Sequence, residues 1–315
     1  SMIGNQFARA NNSNLTDLYD ESEEKSFILL LDCNNQYGWA MSQYLPYGGF
    51  EWVNDLDISE TTDYWREKTM AMSDESSIGL MFEVDLEYPK ELHKQHDTYP
   101  LAPEHITIRE DMLSRYQQQL AQGLEINVGG DKLCLTLYNK KNYICHYRNL
   151  KQYLQLGLIL KKVHKVLKFE QKQWLKKYID LNTKLRQEAN SKFEEDQAKL
   201  MNNAYFGKTC EDVRRYKDVK IVMKGKRAQK LINRPTFSRV KVYSENLSAF
   251  QLRKQVVNLN KPRYVGMTIL NLSKIVMYDF HYNFILPKYP MQSCFSQILI
   301  VSAIGYPLHL ISMKT

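Results

Sequence analysis

The stretch FILLLDCNNQYGWAM, Phe27 to Met41, decides how the chain is read. Its apolar run predicts a buried strand over Phe27–Leu31, and Asp32 stands where that strand ends. An aspartate ahead of two asparagines suits a turn. A carboxylate at the edge of a buried strand, with the next backbone carbonyl and a tyrosine five residues on, is also a layout for holding a hard cation beside a nucleotide sugar. Mg²⁺ takes oxygen ligands and keeps phosphates and water in its shell. Tyr37 then offers a flat surface under a deoxyribose.

The 315 residues are 43% hydrophobic and 12% aromatic, enough to bury a real core. The formal charge is +8, and the excess is local: Lys199 to Arg263 holds seventeen Lys or Arg against four Asp or Glu. Such a half of the chain is expected to meet polyanions, phosphate backbones first among them; a solvated basic face is the plainer alternative. Cys33, Cys134, Cys145, Cys210 and Cys294 show no C-x-x-C spacing, which predicts reduced thiols, no zinc site and a nuclear or cytoplasmic setting. The polar, acidic N-terminus lacks a signal-peptide layout. Met291–Met313 has no Asp, Glu, Lys or Arg and by length is a membrane-span candidate. Its glutamines, serines, histidine and Gly305-Tyr306-Pro307 break argue against a span.

Along the chain, residues 1–25 read as a frayed polar arm and Leu45–Phe50 as a turn. GLMFEVDLEYP alternates, with Phe82, Val84 and Leu86 on one face and Glu83, Asp85 and Glu87 on the other, the mark of a half-buried strand. Leu133–Tyr138 and Tyr143–Tyr147 flank NKKN as a hairpin. Long helices are expected near Leu150–Lys177 and Lys184–Phe206, then a basic strand-and-turn region and a last helix near Leu270–Tyr282. The fold class is α+β.

A second constellation is KLMNNAYFGKT, Lys199 to Thr209. Lys199, Asn203 and Phe206 fall at i, i+4 and i+7, one helical face, and Gly207 follows where the helix can end. A cation, an amide and an aromatic ring on one stripe suit a triphosphate, a base edge and a sugar.

With both stretches in hand, the chain resembles family B DNA polymerases of the protein-primed branch. DCNNQYGWAMSQYLPYGGFEW resembles their motif A, and KLMNNAYFGKT their motif B, K-x-x-x-N-S-x-Y-G. DLEYPKELHKQHDTYPLAPE, the run from His146 to Arg186, and KPRYVGMTILNLSKIVMYDFHYNFILPKY resemble the polymerases of Maverick/Polinton transposons and related viruses. The resemblance implies an antiparallel palm sheet with helices plus helical fingers, and templated addition of deoxynucleotides with two Mg²⁺ ions. It assigns Asp32 to both ions, the Cys33 carbonyl to one, Tyr37 to the gate against ribose and Lys199 to the triphosphate. Asn203 and Phe206 fall near the nascent base pair. A second phosphate-binding cation is expected among Lys184, Arg186 and Lys192, with Arg186 favoured, and Lys208, Arg214 and Arg215 are assigned to DNA. The implied partners are template and primer DNA, deoxynucleotides and a terminal protein primer, without a membrane. The implied domains are an arm (1–25), a palm with an inserted region (26–150), fingers (151–209), a basic region with a palm helix (210–290) and an aberrant tail (291–315).

The sequence also departs from the family. Ala204 replaces the motif B serine and Phe206 its tyrosine. Acids of a 3′–5′ exonuclease are absent before Asp32, no thumb follows, and motif C, TDTDS, is missing after Tyr289. Glu83, Asp85 and Glu87 are a conceivable substitute or simply a solvated face. Reverse-translated and read two bases out of frame, SQILIVSA (Ser296–Ala303) can give TDTDSLC and LISMK (Leu310–Lys314) DIYE. The tail is thus expected to be a motif C hairpin in the wrong frame, leaving the central sheet with an unpaired edge and the chain inactive or incomplete. The alternative is a non-catalytic nucleic-acid- or nucleotide-binding remnant.

Overall fold

The computed structural model describes residues 2–3, 10–14, 19–23, 25–33, 35–54, 61–125, 129–223, 225–288, 293–297 and 308–314; of 2–3, 28–32, 293–297 and 308–314 it describes the backbone alone. By packing, the chain divides into two compact units, Ser1–Ala204 with Met267–Thr315, and Tyr205–Gly266.

The larger unit is built on an antiparallel sheet of β3 (Leu45–Trp52), β4 (Ile78–Glu87), β7 (Lys140–His146) and β8 (Ile159–Lys172), in the order β3-β8-β4-β7. The alternation in β4 is realised: Leu80, Phe82, Val84 and Leu86 are buried, and Glu83, Asp85 and Glu87 line the other face. Those acids meet cations on β8, Glu83 with Lys165 (3.1 Å), Asp85 with His164 (2.8 Å) and Glu87 with Lys161 (3.0 Å). They form a cross-strand ladder and are committed to it.

Four helices that matter for this unit are α1 (Gln36–Met41), α2 (Thr62–Ala71), α4 (Tyr147–Gln155) and α8 (Arg263–Asp279); α3 (Arg115–Gly123) lies on the surface, closed by a Ser114–Gln117 capping box. Trp65 of α2 meets Phe82 edge-to-face at 5.7 Å. Leu150 and Tyr153 of α4, and Met277 and Tyr278 of α8, complete the same core. Buried tyrosine hydroxyls find acceptors: Tyr278 donates to the Pro100 carbonyl (3.1 Å) and Tyr282, in the π-helical turn after α8, to that of Tyr99 (2.6 Å).

Several expectations are corrected. The helix read over Leu150–Lys177 is α4 followed by the fourteen-residue strand β8. Bulges opposite Glu83/Val84 and Asp85/Leu86 put an extra residue between inward positions of β8. Leu160, Val163, Val166 and Phe169 are therefore buried at intervals of three, which imitates a helical stripe. Leu45–Phe50 is not a turn but edge strand β3, where Pro46 is tolerated and Gly49 adopts φ 62°. The NKKN hairpin does not form: β6 (Asp131–Cys134) pairs with β5 (Glu104–Thr107), and β7 pairs with β4. In the arm, Asn11 and Asn12 are buried and bonded; Asn11 Nδ2 donates to the Asp20 carbonyl (2.8 Å) and Asn12 Nδ2 to that of Ser26 (2.9 Å).

A second sheet has the order β1-β12-β13-β2, with β1 Met2–Ile3, β2 Ser26–Asp32, β12 Ser293–Gln297 and β13 Leu308–Lys314. The tail thus does not leave β2 unpaired; β13 pairs with it from Lys314↔Ser26 to Leu308↔Asp32. The Gly305-Tyr306-Pro307 break and residues 298–303 of the out-of-frame segment lie outside the described residues. Among the described residues, no helix is long and apolar enough to cross a membrane.

The smaller unit is a three-stranded antiparallel sheet, β10-β11-β9 (β9 Lys217–Val222, β10 Phe237–Ser244, β11 Leu247–Arg253). Helix α7 (Gly225–Ile232) covers one face, and its Leu231 packs on Val222, Phe250 and Leu252.

Phe82→Ala is expected to lower the free energy of unfolding by about 3–5 kcal/mol, whereas Glu83→Gln, losing one partly exposed cross-strand pair, changes it by less than about 1 kcal/mol. Urea titrations of both variants check this contrast.

Candidate functional site

Motif A is a strand, a tight turn and a short helix. Asp32 is the last residue of β2, and its backbone faces Leu308 of β13. Cys33 is half-buried against the main core. Asn35 precedes α1 in the left-handed conformation (φ 55°, ψ 35°), which asparagine tolerates, and its carbonyl accepts the Trp39 N–H at 2.9 Å. Gly38 has no alternative: a Cβ there would stand 2.1 Å from Asn35 Oδ1. Gln36 reaches out of α1 and donates from Nε2 to the Ser273 carbonyl of α8 at 2.7 Å. Tyr37, half-buried, lines a cavity of about 480 Å³ between α1, β7 and α8.

Motif B lies on α6 (Lys192–Thr209), which is preceded by α5 (Lys176–Gln187). The buried stripe of α6 is Ala198, Asn202, Phe206 and Thr209, with Lys199 and Asn203 half-buried beside it. Asn182 Nδ2 of α5 donates to Asn202 Oδ1 at 2.9 Å in a buried contact. Asn202, not Asn203, therefore locks the helix pair. The motif spacing drew attention to Asn203, and the signal for Asn202 is its i+4 relation to Ala198 and i−4 relation to Phe206. Phe206 is only 5% exposed and packs rather than presenting its ring.

The three cations considered for phosphate are all paired. Arg186 bonds Glu195 (2.9 Å), Lys192 shares that carboxylate (3.0 Å), and Lys184 meets Glu188 (3.7 Å). In the smaller unit Lys208 pairs with Glu211 (3.0 Å) and Arg215 with Asp212 (3.3 Å), while Arg214 is exposed. Exposed pairs of this kind are weak and exchange readily for phosphate. Tyr216, Lys261 and Lys208 around Glu211 pull its pKa down to about 2. The described cysteines Cys33, Cys134, Cys145 and Cys210 are free thiols. Among the described residues, no group of three or more His, Cys, Asp or Glu is placed to hold a metal.

An antiparallel sheet backed by helices, carrying motif A at a strand end and motif B on a helix pair, is the architecture of a family B polymerase palm with fingers. The family model for DNA polymerase type B, organellar and viral, matches residues 16–286, and the chain belongs to that family. Among solved structures, phi29 DNA polymerase in an orthorhombic crystal form is 14% identical, with a TM-score of 0.44 over 94% of this chain and 40% of its own. Phi29 DNA polymerase complexed with primer-template DNA and incoming nucleotide substrates gives 14%, 0.44, 95% and 41%. The chain therefore spans about two fifths of the polymerase chains it matches. No curated protein matches it.

Gly38→Ala is expected to destabilise the larger unit by about 1–3 kcal/mol through overpacking against Asn35. Adding Asn35→Gly removes the obstacle and suits the left-handed backbone, so a double-mutant cycle in denaturant should show strong positive coupling. For Glu211, whose folded pKa lies below the ordinary 4.5, the stabilising contribution is present above pH 4.5 and is lost as pH falls through about 2. Hydrogen exchange in β9 should accelerate across that window, and Glu211→Gln should flatten the response.

Proposed function

We propose that the chain is the palm-and-fingers portion of a protein-primed DNA polymerase of the Maverick/Polinton or related viral type, and that as it stands it binds DNA and nucleotide without efficient catalysis. The observation that carries this is the family match across residues 16–286, which takes in both motifs. In this reading residues 26–150 serve as palm, 151–209 as fingers and 210–290 as basic region and palm helix. Asp32 and the Cys33 carbonyl hold a divalent cation, of the kind family B polymerases use, and Tyr37 lies under the sugar. Lys199 takes the triphosphate, with Arg186 assisting once it releases Glu195. Asn203 and Phe206 border the nascent pair, and Lys208, Arg214 and Arg215 meet the DNA backbone. A terminal protein primer and a nuclear or cytoplasmic site of action complete the reading.

The donor set does not fit two Mg²⁺ ions. Ions about 3.5–4 Å apart repel and need shared carboxylates, yet β13 puts Leu308 opposite Asp32, and neither SCFSQ of β12 nor LHLISMK of β13 holds an acid. Glu83, Asp85 and Glu87 are held by β8 cations and do not substitute. No step is therefore derived through a metal pair. This favours the second reading, a binding remnant, for the chain alone. The out-of-frame motif C accounts for the missing acid, and the nucleotide sequence of the source locus from the Lys261 codon onward tests it.

Gel shifts with primer-template DNA should show binding whose log K falls with log salt at about 0.9 per neutralised phosphate. Primer extension with Mg²⁺ should not exceed that of Asp32→Asn. Extension that depends on Asp32 overturns the inactive reading, and no DNA binding at low salt overturns the descent-based one.

A further inference from the structure

The cavity beside Tyr37 has a chemical character that the polymerase reading does not use. Lys274 of α8 lines it and carries no hydrogen bond or ion pair among the described residues. Other withdrawn cations of the same unit are satisfied: Lys140 by Glu104 (2.6 Å), Arg148 by Asp74 (2.8 Å), and Lys151 by the Met72 carbonyl (2.8 Å). Burial draws the Lys274 pKa below its ordinary value. The nearest titratable group acting on it, Cys145, is a thiol whose pKa burial pushes up to about 12, so it is neutral and supplies no counter-charge. A desolvated ammonium is costly until an anion joins it.

The cavity's own carboxylate is not that anion. Glu104 is held by Lys140 and by the Thr136 hydroxyl at 2.9 Å. Lys141 at the exposed mouth adds a further positive charge. Opposite the cations the wall is apolar, with Leu270, Met277 and the Tyr37 ring. About 480 Å³ falls within the range of small-molecule sites. A cationic floor with an aromatic and aliphatic wall suits a ligand with a phosphate at one end and a flat ring at the other.

We propose that this cavity binds a nucleoside 5′-monophosphate, with Lys274 on the phosphate and Tyr37 against the nucleoside. The site needs neither Asp32 nor a divalent cation and stands independently of the polymerase reading. It makes Tyr37 a shared wall between the motif A helix and a second, metal-free nucleotide site.

The test is isothermal titration of the whole chain, without divalent ions, with thymidine 5′-monophosphate, inorganic phosphate and thymidine. Wild type should bind the monophosphate more tightly than either fragment. Lys274→Met should weaken binding about tenfold to a hundredfold, with a melting temperature at or above that of wild type, and Lys274→Arg should retain binding. Lys274→Gln serves should the methionine variant not fold. Undetectable binding by wild type, unchanged binding by the neutral variants, or phosphate binding as tightly as the monophosphate overturns the proposal. Primer extension plays no part in the readout, so the two readings fail separately.

Discussion

Helix α8 is gripped from two sides by side-chain amides, and the placement of motif A depends on that grip. From α4, Asn149 Nδ2 donates to the Asn271 carbonyl (2.8 Å) and Gln152 Nε2 to that of Ile275 (2.9 Å), one turn apart. From α1, Gln36 Nε2 donates to the Ser273 carbonyl (2.7 Å), about 200° round the helix. A helical carbonyl keeps a second lone pair after its own i+4 bond, so these contacts cost no helix. Six residues cannot hold a helix in water by themselves. Helix α1 is therefore positioned by α8, which is itself seated in the core through Met277 and Tyr278.

The electrostatic pattern separates structural charge from available charge. Acids on β4 are paired across the sheet, and Glu104 is paired with a fully buried lysine. Cations on α5 and α6 are paired within the helix pair. The smaller unit instead carries Arg214 and Arg215 at its surface, with the latter 87% exposed in its side chain. A chain arranged this way has few acids left for catalysis and many cations left for polyanions.

How much of this was legible in the sequence varies with the range of the forces involved. The alternation of β4, the strand ending at Asp32 and the helix bearing Lys199 are local patterns, and the structure has them. Strand β8 was not legible, because two bulges convert its period of two into intervals of three. Strand β3 hides behind Pro46, Gly48 and Gly49, residues that an edge position tolerates. On α6 the motif spacing favoured Asn203, whereas the buried lock is Asn202, about 100° away. Contacts such as Gln36 with Ser273, 237 residues apart, leave no local trace.

The central claim is that Asp32 has no carboxylate partner with which to hold a metal pair. Electron paramagnetic resonance of the chain with primer-template DNA, nucleotide and Mn²⁺ tests it most directly. The account predicts only uncoupled Mn²⁺ signals, unchanged in spin coupling by Asp32→Asn. A spin-coupled Mn²⁺ pair that disappears in Asp32→Asn would contradict it.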